Sequence, residues 1–406
     1  MPRISVIVPV YNVEEYLALS LQSVRDQDWH DLEIICVNDG STDGSAEVLR
    51  LFERADERIT VVEKENGGLS SARNAGIKAA SGDIVCFLDS DDLLTENACG
   101  TIVRAFDRTG ADVVTYGAMA YPEFRSYPWL EEVLSPRDVD YEQFSTDILF
   151  KEQSRPFAWR TACRRDFLLE SGVLFDETLP FGEDQLFHFA VYPRACRTSL
   201  ISDKLVRYRV SRSGSLMNTR LHDPLKMARE HANIIRHIVA DWRDGGFLAR
   251  YPRELLLWTV DFLGFDILQL DEPGRTEMLD VMKGIWAESF DAATIDACAA
   301  VDDARARIVQ AVWSDRSLAS GNARRAVVYR YFSWKYGTRA ALGRVLDVAK
   351  GSGPIGRLRE SIAHSRRAEM EACHDEEAWE LRDERERAAA LEHVKRELGN
   401  AAPASS

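Results

Sequence analysis

The sequence lacks any uninterrupted apolar run of about 18 residues, so no transmembrane helix is expected. Its first residues, Met1-Pro2-Arg3-Ile4-Ser5-Val6, lead straight into an apolar stretch without the pattern of a signal peptide. The seven cysteines (36, 86, 99, 163, 196, 298 and 373) include no Cys-x-x-Cys pair and are odd in number. They read as reduced core residues of a cytoplasmic protein rather than a disulfide or zinc framework. No Gly-x-Gly-x-x-Gly follows the first apolar run and no Gly-x-x-x-x-Gly-Lys-Ser/Thr occurs, which disfavours a dinucleotide fold and a P-loop NTPase. A shortage of positive charge, net -15, argues against a nucleic-acid partner. No internal repeat is visible.

The 406 residues are enough for two domains, or one large domain with an appendage. Charge is unevenly distributed. Between Gly321 and Arg367 there are eleven basic residues against two acidic ones, so this segment carries +9 and the remainder -24. Tyr329, Tyr331, Phe332, Trp334 and Tyr336 accompany the basic residues. A basic helix with an aromatic face can lie on an anionic membrane, and residues 324–367 are candidates for peripheral contact at the inner face of the cell membrane. The alternative is a helix that packs its aromatics inward and leaves its arginines solvated. From Glu369 to Glu397 the balance reverses, with eleven acids against five bases. This stretch reads as a charged helix with a sparse apolar seam (Met370, Leu381, Leu391, Val394, Leu398). It could fold back on the basic stretch or pair with a second copy of the chain.

The first hundred residues alternate regularly. Apolar runs at 4–10, 32–37, 59–62 and 84–88 read as strands, and amphipathic stretches at 13–25, 44–54 and 69–80 as helices. Such alternation predicts βαβ units and a mostly parallel sheet. Another strand is expected at 112–116, loops with a short helix at 121–150, and mixed structure at 157–220 with helices at 165–171 and 183–192. From 224 to 316 the periodicity is helical, with Trp242, Trp258, Trp286 and Trp313 as core or interface anchors. The expected domains are 1–220 (α/β), 221–320 (helical) and 321–406 (a basic then acidic helical extension).

In a parallel sheet ligands bind beyond the carboxyl ends of the strands. Here those ends are Pro9-Val10-Tyr11-Asn12, Asn38-Asp39-Gly40-Ser41, Glu65-Asn66-Gly67-Gly68 and Asp89-Ser90-Asp91-Asp92. The last places three acids among four residues after a buried run. Crowded carboxylates cost several kcal/mol unless a cation or hydrogen bonds compensate. A divalent metal with a phosphate-bearing substrate is one solution; a solvated turn capping the next helix through Asp92 is the other. Asp39 can accept the imino N–H of a uracil-type base or cap the following helix, a role for which Asp43 is already available. Asn66-Gly67-Gly68 brings backbone without Cβ beside a ligand. Arg73, one turn into the next helix, can pair bidentately with a diphosphate or make an ion pair.

These four motifs, in this order, resemble the nucleotide-sugar half of family-2 inverting glycosyltransferases with a GT-A fold. The residues that carry it are Val8 to Asn12, Val37 to Asp43, Glu65 to Gly76 and Leu88 to Asp92. The resemblance covers residues 3–115 strongly and 155–217 moderately, and says little about 220–406. It implies a GT-A α/β sheet followed by a mainly α-helical region. It implies that Pro9, Tyr11 and Asp39 hold the nucleoside, that Asn66 and Arg73 line the nucleotide and diphosphate, and that Asp89 contacts ribose or sugar. Asp91 would ligate Mn²⁺ or Mg²⁺, with Asp92 a ligand or a helix cap. Gly182-Glu183-Asp184-Gln185 resembles the family's Glu-Asp motif, which makes Asp184 the general base on the acceptor hydroxyl and Glu183 a substrate contact. An acidic first helical turn favoured by the helix dipole is the plain alternative, and His188 is a rival base.

Trp159-Arg160 and Arg164-Arg165-Asp166 resemble the segment before that motif, and Tyr208 to Ser215 a loop that closes over the donor diphosphate. Many relatives place a histidine in that loop where this chain has Arg212 and Ser213, a departure that counts against a metal or diphosphate role there; Arg209 and Ser215 are the residues the resemblance would suggest. The implied activity is metal-dependent transfer of a sugar from a nucleotide-diphosphate donor, such as a UDP-sugar, to a glycan or lipid-linked acceptor in polysaccharide synthesis. The alternatives are a nucleotidyltransferase, which lacks its Gly-rich basic loop here, and a GT-A scaffold or sugar-binding module without turnover.

Overall fold

The computed structural model describes residues 2–210, 223–301, 304–313, 326–334 except 328 and 332, and 376–398 except 377. The chain divides into two compact units, Met1–Ser215 with Trp379–Ser406, and Leu216–Ala378. Most of the basic 324–367 segment, the Gly351 to Pro354 breaker and the Arg212 to Ser215 loop lie outside the described residues.

The first unit is built on a sheet of nine strands. β1 (Ile4–Val10), β2 (Leu32–Asp39), β3 (Ile59–Lys64) and β4 (Ile84–Phe87) pair in parallel in the order β3-β2-β1-β4. Their crossovers are α1 (Glu14–Arg25), α2 (Ser45–Ala55) and α3 (Leu69–Ala79). Every residue of β1 is buried, as expected for a strand covered on both faces. α2 buries Val48, Leu49, Leu51 and Phe52, one apolar stripe at helical spacing. α3 comes so close to β1 that a Cβ at Gly76 would lie 2.3 Å from Ile7 Cγ2.

Past β4 the sheet turns mixed, as β5 (Leu93–Leu94), β6 (Val113–Tyr121), β7 (Val139–Tyr141), β8 (Thr161–Arg164) and β9 (Thr198–Arg209) join it. β8 lies antiparallel between β4 and β6, β6 runs parallel to β9, and β5 and β7 pair antiparallel with β9. α4 (Ala98–Thr109), α5 (Pro128–Val133), α6 (Thr146–Phe150), α7 (Arg165–Ser171) and α8 (Glu183–Arg194) complete this part. β6 is longer than the 112–116 run predicts, because it bends through irregular register near Gly117 and continues along β9. The 121–150 stretch holds a 3-10 turn (Glu123–Arg125), two short α-helices and a strand rather than loops with one helix.

Helical residues 378–393 return to the first unit after the second. Residues Val394–Leu398 pack on α2, and Val394 is buried. The second unit is helical from Pro224 to Trp313 among its described residues, with Trp242, Trp258 and Trp286 buried. No described helix is long and apolar enough to cross a membrane. Cys36, Cys86, Cys99 and Cys163 are buried free thiols, and Cys196 is an exposed one.

Candidate active site

The four parallel strands deliver their carboxyl ends to one edge. At the end of β2, Asp39 is buried and fastens the next strand's exit turn. Its Oδ1 accepts from Lys64 Nζ and from Gly67 N (2.9 Å), and its Oδ2 from Gly68 N (2.8 Å). A carboxylate has about four acceptor positions, so roughly one remains for an outside donor. Gly68 holds φ +85°, a conformation that lets Asn66 and Gly67 stand exposed at the rim. Pro9 is buried in β1, and Tyr11 beyond it is 48% exposed. Gly44, not Asp43, is the N-cap of α2; Asp43, one residue earlier, accepts from Ser45 N at Oδ1 and from Glu14 N at Oδ2, both at 3.0 Å.

Arg73 is the hub of the site. It projects from α3 and is 1% exposed. Nη2 donates to Asp89 Oδ1 at 2.9 Å, and Nη1 to Asp184 Oδ1 at 2.8 Å and Glu183 Oε1 at 3.1 Å. The guanidinium lies 5.1 Å over the Phe175 ring, which stacks on Phe187 at 4.3 Å. The sequence offers Arg73 a diphosphate or an ion pair as its partner; in this structure the buried guanidinium pairs with three half-buried carboxylates. One cation thereby gathers the end of β4 and the start of α8, two elements about ninety residues apart.

Charge at this point is under-compensated. Burial, reinforced by Asp91 and Asp184, raises the Asp89 carboxyl above its ordinary range despite Arg73. Burial and the neighbouring Asp184 push Glu183 up to about 7. Asp92 is raised further, by burial and then by Asp91 and Asp89; its Oδ1 accepts from Arg209 N at 2.7 Å, while its buried Oδ2 has no partner. Asp92 is not a helix cap. Leu93 and Leu94, immediately after it, form β5 against Arg207 and Val206, and α4 begins only at Ala98 after Asn97.

Could these residues hold a metal? The donor set is all oxygen, is anionic and includes an orphaned buried carboxylate oxygen, which suits a hard divalent cation. Among the described residues no group of three His, Cys, Asp or Glu side chains forms a ready-made cage. A cation bound here would therefore complete its shell with substrate oxygens and water.

The rival base is closed off. His188 is buried, its Nε2 lies 3.1 Å from Thr161 Oγ1, and its ring stacks on Tyr192. Burial drives it down to about 3, so it is neutral at physiological pH. The arginines before the Glu-Asp motif bond to main-chain carbonyls. Arg160 is buried on the carbonyls of Val133 and Gln153, and Arg164 and Arg165 donate to the carbonyls of Ala111 and Ala80. Trp159, Phe157 and Tyr208 form a three-ring cluster, with Trp159 stacked 5.1 Å from each of the others. The sequence reading missed Asn74, which braces the loop before α8. Its Nδ2 donates to the Phe175 carbonyl and Glu177 Oε1, and its Oδ1 accepts from Phe175 N, all at 2.9 Å.

The model of glycosyl transferase family 2 matches residues 5–166. EpsJ of Bacillus subtilis, named an uncharacterized glycosyltransferase, is 32% identical over 211 residues, which cover 52% of this chain and 61% of EpsJ. The glycosyltransferase GlyG of Streptococcus pneumoniae is 30% identical over 246 residues, 59% of this chain and 80% of GlyG. A fragment of Staphylococcus aureus TarS, solved in complex with UDP-GlcNAc, superposes with a TM-score of 0.62 at 21% identity. It covers 82% of this chain and 92% of the fragment, and shows the same fold. The chain spans about three fifths of the length of EpsJ. With four fifths of GlyG covered at that identity, and the strand-end motifs inside the matched span, the chain belongs to glycosyl transferase family 2.

Proposed function

We propose that the protein is an inverting glycosyltransferase that moves a sugar from a UDP-linked donor to a hydroxyl of a glycan or lipid-linked acceptor. The observation that carries this reading is the convergence of Asp89, Glu183 and Asp184 on Arg73, which sets donor-side and acceptor-side carboxylates on one cation. A UDP donor is supported by the relatives. TarS, 29% identical to this chain over 227 residues, is named a poly(ribitol-phosphate) β-N-acetylglucosaminyltransferase, and its fragment was solved with UDP-GlcNAc. Which sugar and which acceptor this chain takes rest on residues that the shared motifs do not include.

In this reading Pro9, Tyr11 and Asp39 hold the nucleoside, with Asp39 accepting the imino N–H in its remaining acceptor position. Asn66 lines the nucleotide at the exposed rim, and Asp89 meets the ribose or sugar. Asp91 would hold a divalent cation, Mn²⁺ or Mg²⁺, which when bound would neutralise the charge that builds on the leaving diphosphate. Asp184 removes the proton from the acceptor hydroxyl as its oxygen bonds to the anomeric carbon. The bond from that carbon to the diphosphate breaks on the opposite face, and the anomeric configuration inverts. Arg73 orients Asp184 through the 2.8 Å bond to its Oδ1. Glu183, pushed towards neutrality, is suited to donate a hydrogen bond to a substrate oxygen. Peripheral membrane contact through the basic 324–367 segment would suit a lipid-linked acceptor.

The test is nucleotide release from a panel of UDP- and other nucleotide-sugars, with Mn²⁺, with Mg²⁺ and with chelator, followed by NMR of the product anomer. Metal-dependent UDP release with inversion is expected. Release from no donor favours a GT-A scaffold that binds sugars without turnover.

A further inference from the structure

Arg209, the last residue of β9, is engaged on three sides. Its main-chain N–H donates to Asp92 Oδ1 at 2.7 Å, and its Nε to the Asp91 carbonyl oxygen at 3.0 Å. Nη1 donates to both carboxylate oxygens of Asp383, at 2.8 Å each. The guanidinium lies over the rings of Tyr16 and Tyr121, 5.0 Å from each centroid. Both charged side chains are 4% exposed.

Asp383 sits in helical residues 378–393, 174 positions after Arg209, and belongs to the same compact unit. That helix is attached to the sheet by other contacts. Glu380 accepts from Arg125 at 2.6 Å, Arg387 reaches Glu15 at 2.8 Å, and Trp379 packs edge-on against Tyr121. Docking alone therefore does not call for a buried carboxylate, which is costly unless fully bonded. Asp383 is bonded, to Arg209 and to Arg387 Nε at 2.9 Å. What its pair with Arg209 adds is orientation. A planar guanidinium held by a carboxylate has its remaining N–H directions fixed, and here Nε is thereby aimed at the Asp91 carbonyl.

We infer that Asp383 is a positioning residue for the acidic turn at Asp91 and Asp92. Acting through Arg209, it fixes the backbone from which the Asp91 carboxylate reaches the divalent cation and donor diphosphate. The inference rests on the glycosyltransferase reading above and extends the metal-binding apparatus to a helix near the carboxyl end. Supporting groups of this kind change metal affinity by about 10- to 100-fold when removed.

The experiment uses the full chain and follows UDP binding by calorimetry across a series of Mn²⁺ concentrations, with the melting temperature measured in parallel. Asp383→Asn is expected to raise the Mn²⁺ concentration for half-maximal UDP binding about tenfold. Glu380→Ala, which removes a docking pair without reaching Arg209, is expected to shift it by less than about twofold even if melting falls. Should Asp383→Asn not fold, the double variant Arg209→Met/Asp383→Leu replaces the buried pair with apolar groups, an exchange that proteins often tolerate. It is expected to fold and show the same tenfold rise. A wild-type Mn²⁺ requirement in either folded variant overturns the inference, as does an equal shift in Glu380→Ala. A wild-type chain that binds no UDP at any Mn²⁺ concentration overturns the parent reading and this one with it.

Discussion

Arg73 Nη1 donates to Asp184 Oδ1 at 2.8 Å across 111 residues of sequence. This contact joins the two halves of the site, since the same guanidinium also holds Asp89 at the end of β4. Removing Arg73 would leave three carboxylates facing one another in the interior. Arg73→Met is expected to cost about 3–5 kcal/mol of stability, the range for breaking a buried ion pair. Urea unfolding measures it. Arg73→Lys keeps the charge but loses the fork, so intermediate stability is expected; a loss equal to that of Arg73→Met would show that geometry matters more than charge.

Glu183 makes stability depend on pH. Its carboxyl is raised from 4.5 in the unfolded chain to about 7 in the fold, so the folded state binds the extra proton between those values. Stability is greatest below pH 4.5 as far as this group is concerned, and falls as pH rises through 7. The full shift corresponds to up to about 3 kcal/mol. Glu183→Gln removes the titration, so its stability relative to the wild type should grow by about 2–3 kcal/mol from pH 5 to pH 7.5. Parallel pH profiles for the two proteins would refute the assignment.

Asp91 and Asp184 are expected to separate donor binding from chemistry. Asp184→Asn should slow transfer by about 10²–10⁴-fold while leaving metal-dependent UDP binding intact, because only the proton acceptor is lost. Asp91→Ala should abolish metal-dependent UDP binding itself. Calorimetry that finds such binding unimpaired in Asp91→Ala would sink the metal assignment.

The alternation from β1 to β4 is legible in the sequence because each strand is a short apolar run bounded by polar turn residues and each helix carries one apolar stripe. The strand-end site follows from that alternation and from parallel topology. β9 is harder to see, since Ser202, Asp203 and Lys204 are exposed in its middle and read as a turn. The capping role suggested for Asp92 fails for a related reason: Leu93 and Leu94 pair with β9, a partner over a hundred residues away. Arg73, Glu183 and Asp184 are each visible as candidates, but their pairing is not, and Asp383 carries no local signal at all. Local pattern specifies what an element is, whereas the partners of a buried charge are set by tertiary packing.

Gly40 provides a test of the rim that does not touch a charged group. It holds φ +71°, and a Cβ there would lie 2.8 Å from the backbone nitrogen of Asn66. Alanine at this position would therefore be strained twice, by its own dihedral and by collision with backbone that cannot swing aside. The turn that must move is the one Asp39 holds through Gly67 and Gly68. Gly40→Ala is expected to cost about 1–3 kcal/mol in thermal or urea unfolding. It should also weaken UDP binding, because the displaced segment carries Asn66 and shifts the Asp39 carboxylate. Gly172→Ala is the control for dihedral strain alone, since Gly172 also has positive φ, +65°, but nothing within 4 Å of the added Cβ. Equal UDP affinity in the two variants would remove the Asn66 turn from the donor site.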